Sequence, residues 1–287
     1  MDHRLVRGGP ARGGRGRHRH LNGPGPGTLH PEGSSVHKRP RDLYIDLLKR
    51  VLVNLIYEDE QDPRFPLAEG TEFDLAKRVS GTDWPTRAHT MVGMTRLDDL
   101  QRRIESVLAD GVPGDFIETG VWRGGACIFM RGMLAAHQVS DRRVWVADSF
   151  QGIPPTAEAA NPLDRWMRLD SFNDVLGVPE ETVRANFARY ELLDDQVAFL
   201  PGWFRDSLPD APIEKLAIMR LDGDLYDSTM DALTHLYDKL SVGGYVIIDD
   251  YSIGSCRKAV TEFRKRRGIE DAIVRIDPES VYWRRTG

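Results

Sequence analysis

Residues 115–125 read DFIETGVWRGG, and residues 126–137 continue as ACIFMRGMLAAH. A short apolar run at 115–119 is followed by Gly120, Gly124 and Gly125, and then by a stretch of helical character at 124–137. That order describes a strand, a tight turn and a helix whose N-terminus faces the turn. The same alternation continues along the chain. Strands are expected at 143–147, 196–200, 216–221 and 245–248. Helices are expected at 181–190, 228–240 and 256–267, the last closed by Gly268 as a C-terminal cap. The final two apolar runs, 272–276 and 281–285, are separated by four residues. A parallel crossover needs about a dozen residues or more, so this pair is antiparallel. The pattern is an α/β fold with a mostly parallel, Rossmann-like sheet, a terminal antiparallel strand and an N-terminal helical extension.

Outward from this core, residues 1–41 are dominated by Gly, Pro, Arg and His. Such a segment cannot offset its ordering entropy by burial, so a disordered tail is expected. Residues 42–109 form a helical region. Within it, 42–58 is an amphipathic helix with Tyr44, Leu47, Leu48, Val51 and Leu55 on one stripe, and 93–109 is a second. The first stripe calls for a partner surface, either the main domain or another copy of the chain, so a homodimer or higher homo-oligomer is expected. Residues 110–287 form the main domain.

Composition narrows the function. Of 287 residues, 40% are hydrophobic and the net charge is -5, which supports a large core and gives no electrostatic reason to bind nucleic acid or an anionic membrane. The two cysteines, Cys127 and Cys256, lie far apart with no CxxC, against a disulfide framework or a zinc site. With no long apolar run and no apolar leader segment, a cytoplasmic location is the expectation.

In an open parallel sheet, ligands bind beyond the carboxyl ends of the strands. The residues there are therefore the candidates. The first turn carries Glu118, Gly120, Val121 and Trp122. A glycine-rich turn fits a dinucleotide, S-adenosylmethionine or no ligand, and its spacing is not GxGxxG. After the second strand come Asp148, Ser149 and Gly152, where an acid suits the two hydroxyls of a ribose. After the third come Gly202 and Trp203, either part of an adenine pocket or core. The next two strands end in Asp222-Gly223-Asp224 and Asp249-Asp250. Neighbouring strands bring these acids together. Carboxylates converging without a compensating Arg or Lys repel, and a hard divalent cation such as magnesium resolves the repulsion. The alternative is that each acid caps its own helix.

The segments GDFIETGVWRGGACIF, VWVADSFQGIP, LLDDQVAFLPGWFRDSLP, MRLDGDLYDST and GGYVIIDDY closely resemble the macrocin O-methyltransferase family, and the resemblance runs from about Asp42 to the C-terminus. It implies a class I methyltransferase fold, S-adenosylmethionine and Mg2+ as cofactors, and a deoxysugar hydroxyl on a macrolide or aminocoumarin as acceptor, in antibiotic biosynthesis. By this resemblance Glu118 and Gly120 lie beside the methionine part of the cofactor, Asp148 holds its ribose with Ser149 nearby, and Thr90 and Met91 touch it from a lid. Asp222, Asp249 and Asp250 match the magnesium ligands. Asp222 is the preferred general base, with Asp224 and His89 as alternatives. The region 59–92 is the expected lid. Residues 153–175 are expected to line the acceptor pocket, where Trp166 either packs on a sugar or is core. A nicotinamide-dependent oxidoreductase, a catechol-type methyltransferase and a non-catalytic binding module are the rival readings.

Overall fold

A computed structural model describes residues 38–65, 70–156 and 161–287. The expected disorder of the tail therefore falls almost wholly outside the described residues. Helix α1 spans Pro40–Leu52, beginning inside the segment assigned to the tail. Pro40 presets the backbone of the first turn, Asp42 lies at the positive end of the helix dipole, and Lys49 and Arg50 lie at the negative end. The helix stops six residues short of the expected end. Asn54 and Glu58 adopt left-handed φ values of 54° and 52°, which a continuing helix does not allow.

Helix α2 (Leu75–Ser80) is capped by the Asp74 carboxylate, which accepts from the Ala76 and Lys77 N–H groups. It leads into α3 (Gly93–Ala109), which has the expected bounds. The main alternation follows: β1 (Asp115–Thr119), α4 (Gly125–Ala136), β2 (Val144–Asp148), the short helices α5 (Pro162–Met167) and α6 (Asn173–Leu176), then α7 (Glu180–Arg189) and β3 (Val197–Pro201). After α8 (Phe204–Ser207) come β4 (Leu216–Leu221), α9 (Tyr226–Leu236), β5 (Leu240–Ile248), α10 (Gly254–Arg267), β6 (Val274–Arg275) and β7 (Val281–Arg284). Gly268 closes α10 at φ 61°, as its sequence position implies.

The strands form one sheet in the order β3-β2-β1-β4-β5-β7-β6. The first five are parallel, and β7 runs antiparallel to both β5 and β6. The final hairpin thus folds back so that the last strand, not its predecessor, joins the parallel sheet.

Side-chain alternation divides the core between the two faces of the sheet. Phe116, Val146, Ile218 and Ile247 pack on one face, and Ile117, Trp145, Met219, Val246 and Trp283 on the other. The first cluster takes in Ile45, Leu48 and Leu52 of α1 and Leu97, Leu100 and Ile104 of α3. Helices α1 and α3 of the 42–109 region thus complete one face of the main sheet. Burying each such side chain contributes about 1.5–3 kcal/mol.

The region expected to act as a lid is anchored in its described part. Arg78 is 1% exposed and donates from Nε to Asp83 (2.8 Å), from Nη1 to Asp59 (2.6 Å) and from Nη2 to the Asp59 carbonyl (2.9 Å). The other Asp59 oxygen accepts from the Arg87 and Ala88 N–H groups. One buried ion-pair network thus holds the backbone that leads to Met91. Among the described residues no helix is long and apolar enough to cross a membrane.

Candidate active site

The carboxyl ends of β1, β2, β4 and β5 open onto a cavity of about 760 Å³. Of the residues singled out in the sequence, Met91, Gly120, Trp122, Asp148, Ser149, Gly152, Trp203, Asp222, Asp249 and Asp250 line it. Thr90, Glu118, Val121 and Gly202 do not line it. Val121 donates its N–H to Asp148 Oδ2 (2.7 Å), and the Phe150 N–H goes to Asp148 Oδ1 (2.8 Å). Asp148 therefore braces both turns while facing the cavity, and burial raises its pKa. Ser149 Oγ donates to the Gly152 carbonyl (2.9 Å), and Gly152 at φ 88° leaves room for Asn173, which a Cβ would strike at 2.4 Å. The Trp122 indole donates to the Val175 carbonyl (2.9 Å) and stacks under Arg123.

Glu118, expected beside the methionine part of the donor, does not itself line the cavity. It is 2% exposed and lies beneath the cavity floor. One oxygen accepts from Arg220, the other from the Cys127 thiol (2.9 Å). Burial pushes its pKa up to about 7, against the pull of Arg220.

The acids of β4 and β5 do converge. Single oxygens of Asp222, Asp249 and Asp250 all lie within 4.8 Å of one another. They are not helix caps: the N-cap residues of α9 and α10 are Leu225 and Ile253. The expectation that no arginine or lysine compensates them is wrong. Arg220 Nη1 donates to Asp222 (2.7 Å) and Arg220 Nη2 to Asp249, while Arg96 Nη1, from α3, donates to the other Asp249 oxygen (2.6 Å). Arg96 is further shared with Asp277 and Glu279 of the C-terminal hairpin.

The charge balance nevertheless remains acidic. The two guanidiniums pair with Glu118, Asp222 and Asp249, whereas Asp250 accepts from the Asp224 N–H (3.0 Å) and, among the described residues, no arginine or lysine pairs with Asp224 or Asp250. Burial, reinforced by Asp249, lifts the Asp222 pKa to about 6 against the pull of Arg220. Burial, reinforced by Asp222 and Asp249, lifts that of Asp224 to about 7. Burial and the neighbouring acids Asp224, Asp222 and Asp249 raise Asp250 well above the carboxylate range. Acids whose charged forms are disfavoured in this way are relieved by a hard divalent cation, and the all-oxygen donor set fits magnesium.

His89 is not at the reacting centre. It does not line the cavity, and its Nδ1 pairs with the Tyr190 hydroxyl at 2.7 Å. Burial, with Arg189 and Arg123 nearby, lowers its pKa to about 4. Its backbone links the glycine turn to α1: the N–H donates to the Leu52 carbonyl, and the carbonyl accepts from Gly125 (2.9 Å each). Trp166 is 84% exposed and is neither core nor cavity wall. The aromatic wall is instead Phe65 and Trp84, with ring centroids 5.3 Å apart, backed by Phe172 edge-on to Trp84 at 5.5 Å. The sequence reading missed Arg220, Arg96, Phe65 and Trp84. A fully buried arginine inside an apolar strand is itself a signal, because such residues are almost never buried unpaired.

With this geometry established, comparison with known proteins decides the family. The family model for macrocin O-methyltransferases (TylF) matches residues 41–285. This chain belongs to that family. It is an S-adenosylmethionine-dependent O-methyltransferase by that membership. A tetracenomycin-C rhamnosyl 4'-O-methyltransferase from Streptomyces olivaceus is 60% identical over 86% of this chain and 94% of its own. The mycinamicin III 3''-O-methyltransferase of Micromonospora griseorubida is 56% identical over 85% and 97%. The demethyldecarbamoylnovobiocin O-methyltransferase of Streptomyces niveus is 54% identical over 85% and 94%. The solved structure of the O-methyltransferase NovP superimposes with a TM-score of 0.81 at 54% identity, covering 86% of this chain and 100% of that one. The calicheamicin methyltransferase CalS11, at 20% identity and a TM-score of 0.52, shares the fold.

Proposed function

We propose that this macrocin O-methyltransferase family member methylates a hydroxyl of a deoxysugar carried by a natural product in antibiotic biosynthesis, with S-adenosylmethionine as donor and a divalent cation at Asp222, Asp249 and Asp250. The observation that carries the proposal is the meeting of these three acids within 4.8 Å on the wall of the cavity that also contains the glycine turn. The relatives named above act on sugar-bearing scaffolds of different kinds and at different ring positions, 4' in one and 3'' in another. The sugar class is therefore the part that carries over.

The donor would lie along the turn from Gly120 to Trp122, with Asp148 and Ser149 at its ribose, Met91 and Gly152 along its length and Trp203 at the adenine end. The sulfonium methyl is already electrophilic, so the protein's task is to prepare the hydroxyl. A bound divalent cation would lower the pKa of that hydroxyl and fix its position. Asp222 is the base: Arg220 holds one oxygen, and among the described residues the other accepts no hydrogen bond. It would accept the hydroxyl proton as the donor's methyl passes from sulfur to that oxygen, leaving S-adenosylhomocysteine. Asp224 is the alternative base, at the cavity wall. Phe65 and Trp84 supply an apolar wall for the acceptor sugar and its aglycone. The exposed Leu43, Leu47, Ile56 and Tyr57 supply the apolar surface on which the expected homo-oligomer would form.

The primary test incubates purified protein with S-adenosylmethionine and magnesium against glycosylated metabolites and reads the mass gain of one methyl. Full turnover in excess chelator would remove the cation from the proposal. Asp148→Asn should raise the S-adenosylmethionine dissociation constant about 10- to 100-fold, since a hydrogen bond to a charged group contributes about 1.5–3 kcal/mol. Unchanged affinity by calorimetry would reject the ribose role. Trp84→Ala should raise KM for the acceptor about 2- to 10-fold, given about 0.5–1.5 kcal/mol for an aromatic contact, and leave KM for the donor alone. Equal acceptor KM values would show that the aromatic wall does not touch the sugar.

A further inference from the structure

Arg220 interrupts the apolar run of β4, LAIMRL, and is 2% exposed. A guanidinium at such a site is costly unless every partner is in place, and an aliphatic residue would fill the strand at less cost. The sheet register explains its partners. Glu118 is the neighbour of Arg220 across β1 and β4, and Ile247 is its neighbour across β4 and β5. Side chains two residues apart on a strand share a face, so Asp222 follows Arg220 and Asp249 follows Ile247 on the same side. Nη1 reaches Glu118 and Asp222, and Nη2 reaches Asp249. Two of these acids come from different strands and are proposed cation ligands; the third lies behind them, away from the cavity.

The geometry points to Arg220 as a positioning residue that sets the spacing of Asp222 and Asp249 for a divalent cation, with Glu118 as its anchor. The inference rests on the cation reading above. Only a planar fork can hold carboxylates on two strands at once while braced by a third; a lysine is a point charge with no fixed plane. Arg220 and Glu118 then form one device. Glu118 is buried and ion-paired because it holds the guanidinium flat against the floor.

The competing account is that Arg220 only balances charge. Charge-conserving variants separate the two. Arg220→Lys keeps the charge and loses the fork. Glu118→Asp keeps the charge and shortens the anchor by one methylene. Mn2+ binding, followed by the electron paramagnetic resonance signal of the free ion, reads the site without turnover. If Arg220 positions the ligands, Arg220→Lys raises the Mn2+ dissociation constant about 10- to 100-fold, the range for residues that orient metal ligands. Glu118→Asp raises it in the same direction. S-adenosylmethionine affinity, measured by calorimetry, stays at the wild-type value in both. Should Arg220→Lys fail to fold by circular dichroism, Glu118→Asp alone decides the matter. Wild-type Mn2+ affinity in the folded variants would overturn the positioning role and leave the cation reading standing. Absence of Mn2+ binding by the wild-type protein would overturn both.

Discussion

Asp250→Asn is expected to lower kcat about 10²- to 10³-fold, the scale for removing one fixed electrostatic group at a reacting oxygen. The position is chosen because Asp250 is the proposed ligand least tied to the fold. Its one hydrogen bond among the described residues comes from the Asp224 N–H, which an amide oxygen still accepts. Asp249 would be a poor choice. Both of its oxygens pair with buried arginines, Arg220 and Arg96, and removing it leaves two guanidiniums without that partner. Breaking a buried pair costs about 3–5 kcal/mol, so lost activity there would report lost structure. For Asp250→Asn the expected signature is low kcat at saturating magnesium, with metal-free thermal stability no lower than wild type, since a repelled buried charge is removed, and unchanged S-adenosylmethionine affinity. Wild-type kcat in a folded Asp250→Asn protein would remove Asp250 from the chemistry.

The contrast between these two neighbouring aspartates was not legible in the sequence, and the reason is physical. Local patterning reports periodicity, and it located β1, β4, α3 and the Gly268 cap within a residue. It also put acids at the ends of adjacent parallel strands, which the register of β4 against β5 fulfils. What it lacked was the third dimension above those strands. Arg96 reaches Asp249 from 153 residues away, and Arg220 meets Glu118 across 102, contacts that exist only once α3 lies over the sheet and β1 pairs with β4. The aromatic wall was missed for a related reason. Trp166 attracted attention as part of a long insertion, yet it is on the surface, whereas Trp84 reaches the cavity because Arg78, Asp59 and Asp83 anchor the segment that carries it. His89 resembled a base because of its residue type; its pairing with Tyr190 is a tertiary event.

Gly120→Ala is expected to cost about 2–5 kcal/mol of stability, combining strain in the left-handed region with the cost of overpacking. Gly120 has φ 85°, and a Cβ added there would lie 1.7 Å from the Asp222 carbonyl oxygen. That oxygen is backbone, so no side chain can rotate out of the way. Relief requires moving the end of β4 relative to β1, where the Asp222 N–H donates to the Thr119 carbonyl at 2.9 Å. The strain therefore falls on the residue proposed as both ligand and base. The sequence suggests another reason for this glycine, namely close approach of the donor to the turn. The two reasons predict different data. If the β1–β4 contact governs, urea unfolding shows the stability loss without any ligand, and the folded fraction has low kcat even when saturated with S-adenosylmethionine. If donor approach governs, stability stays near wild type and only the donor dissociation constant rises. The short distance to the Asp222 carbonyl favours the first outcome, because it makes the glycine a condition for bringing the two strand ends together before any ligand arrives.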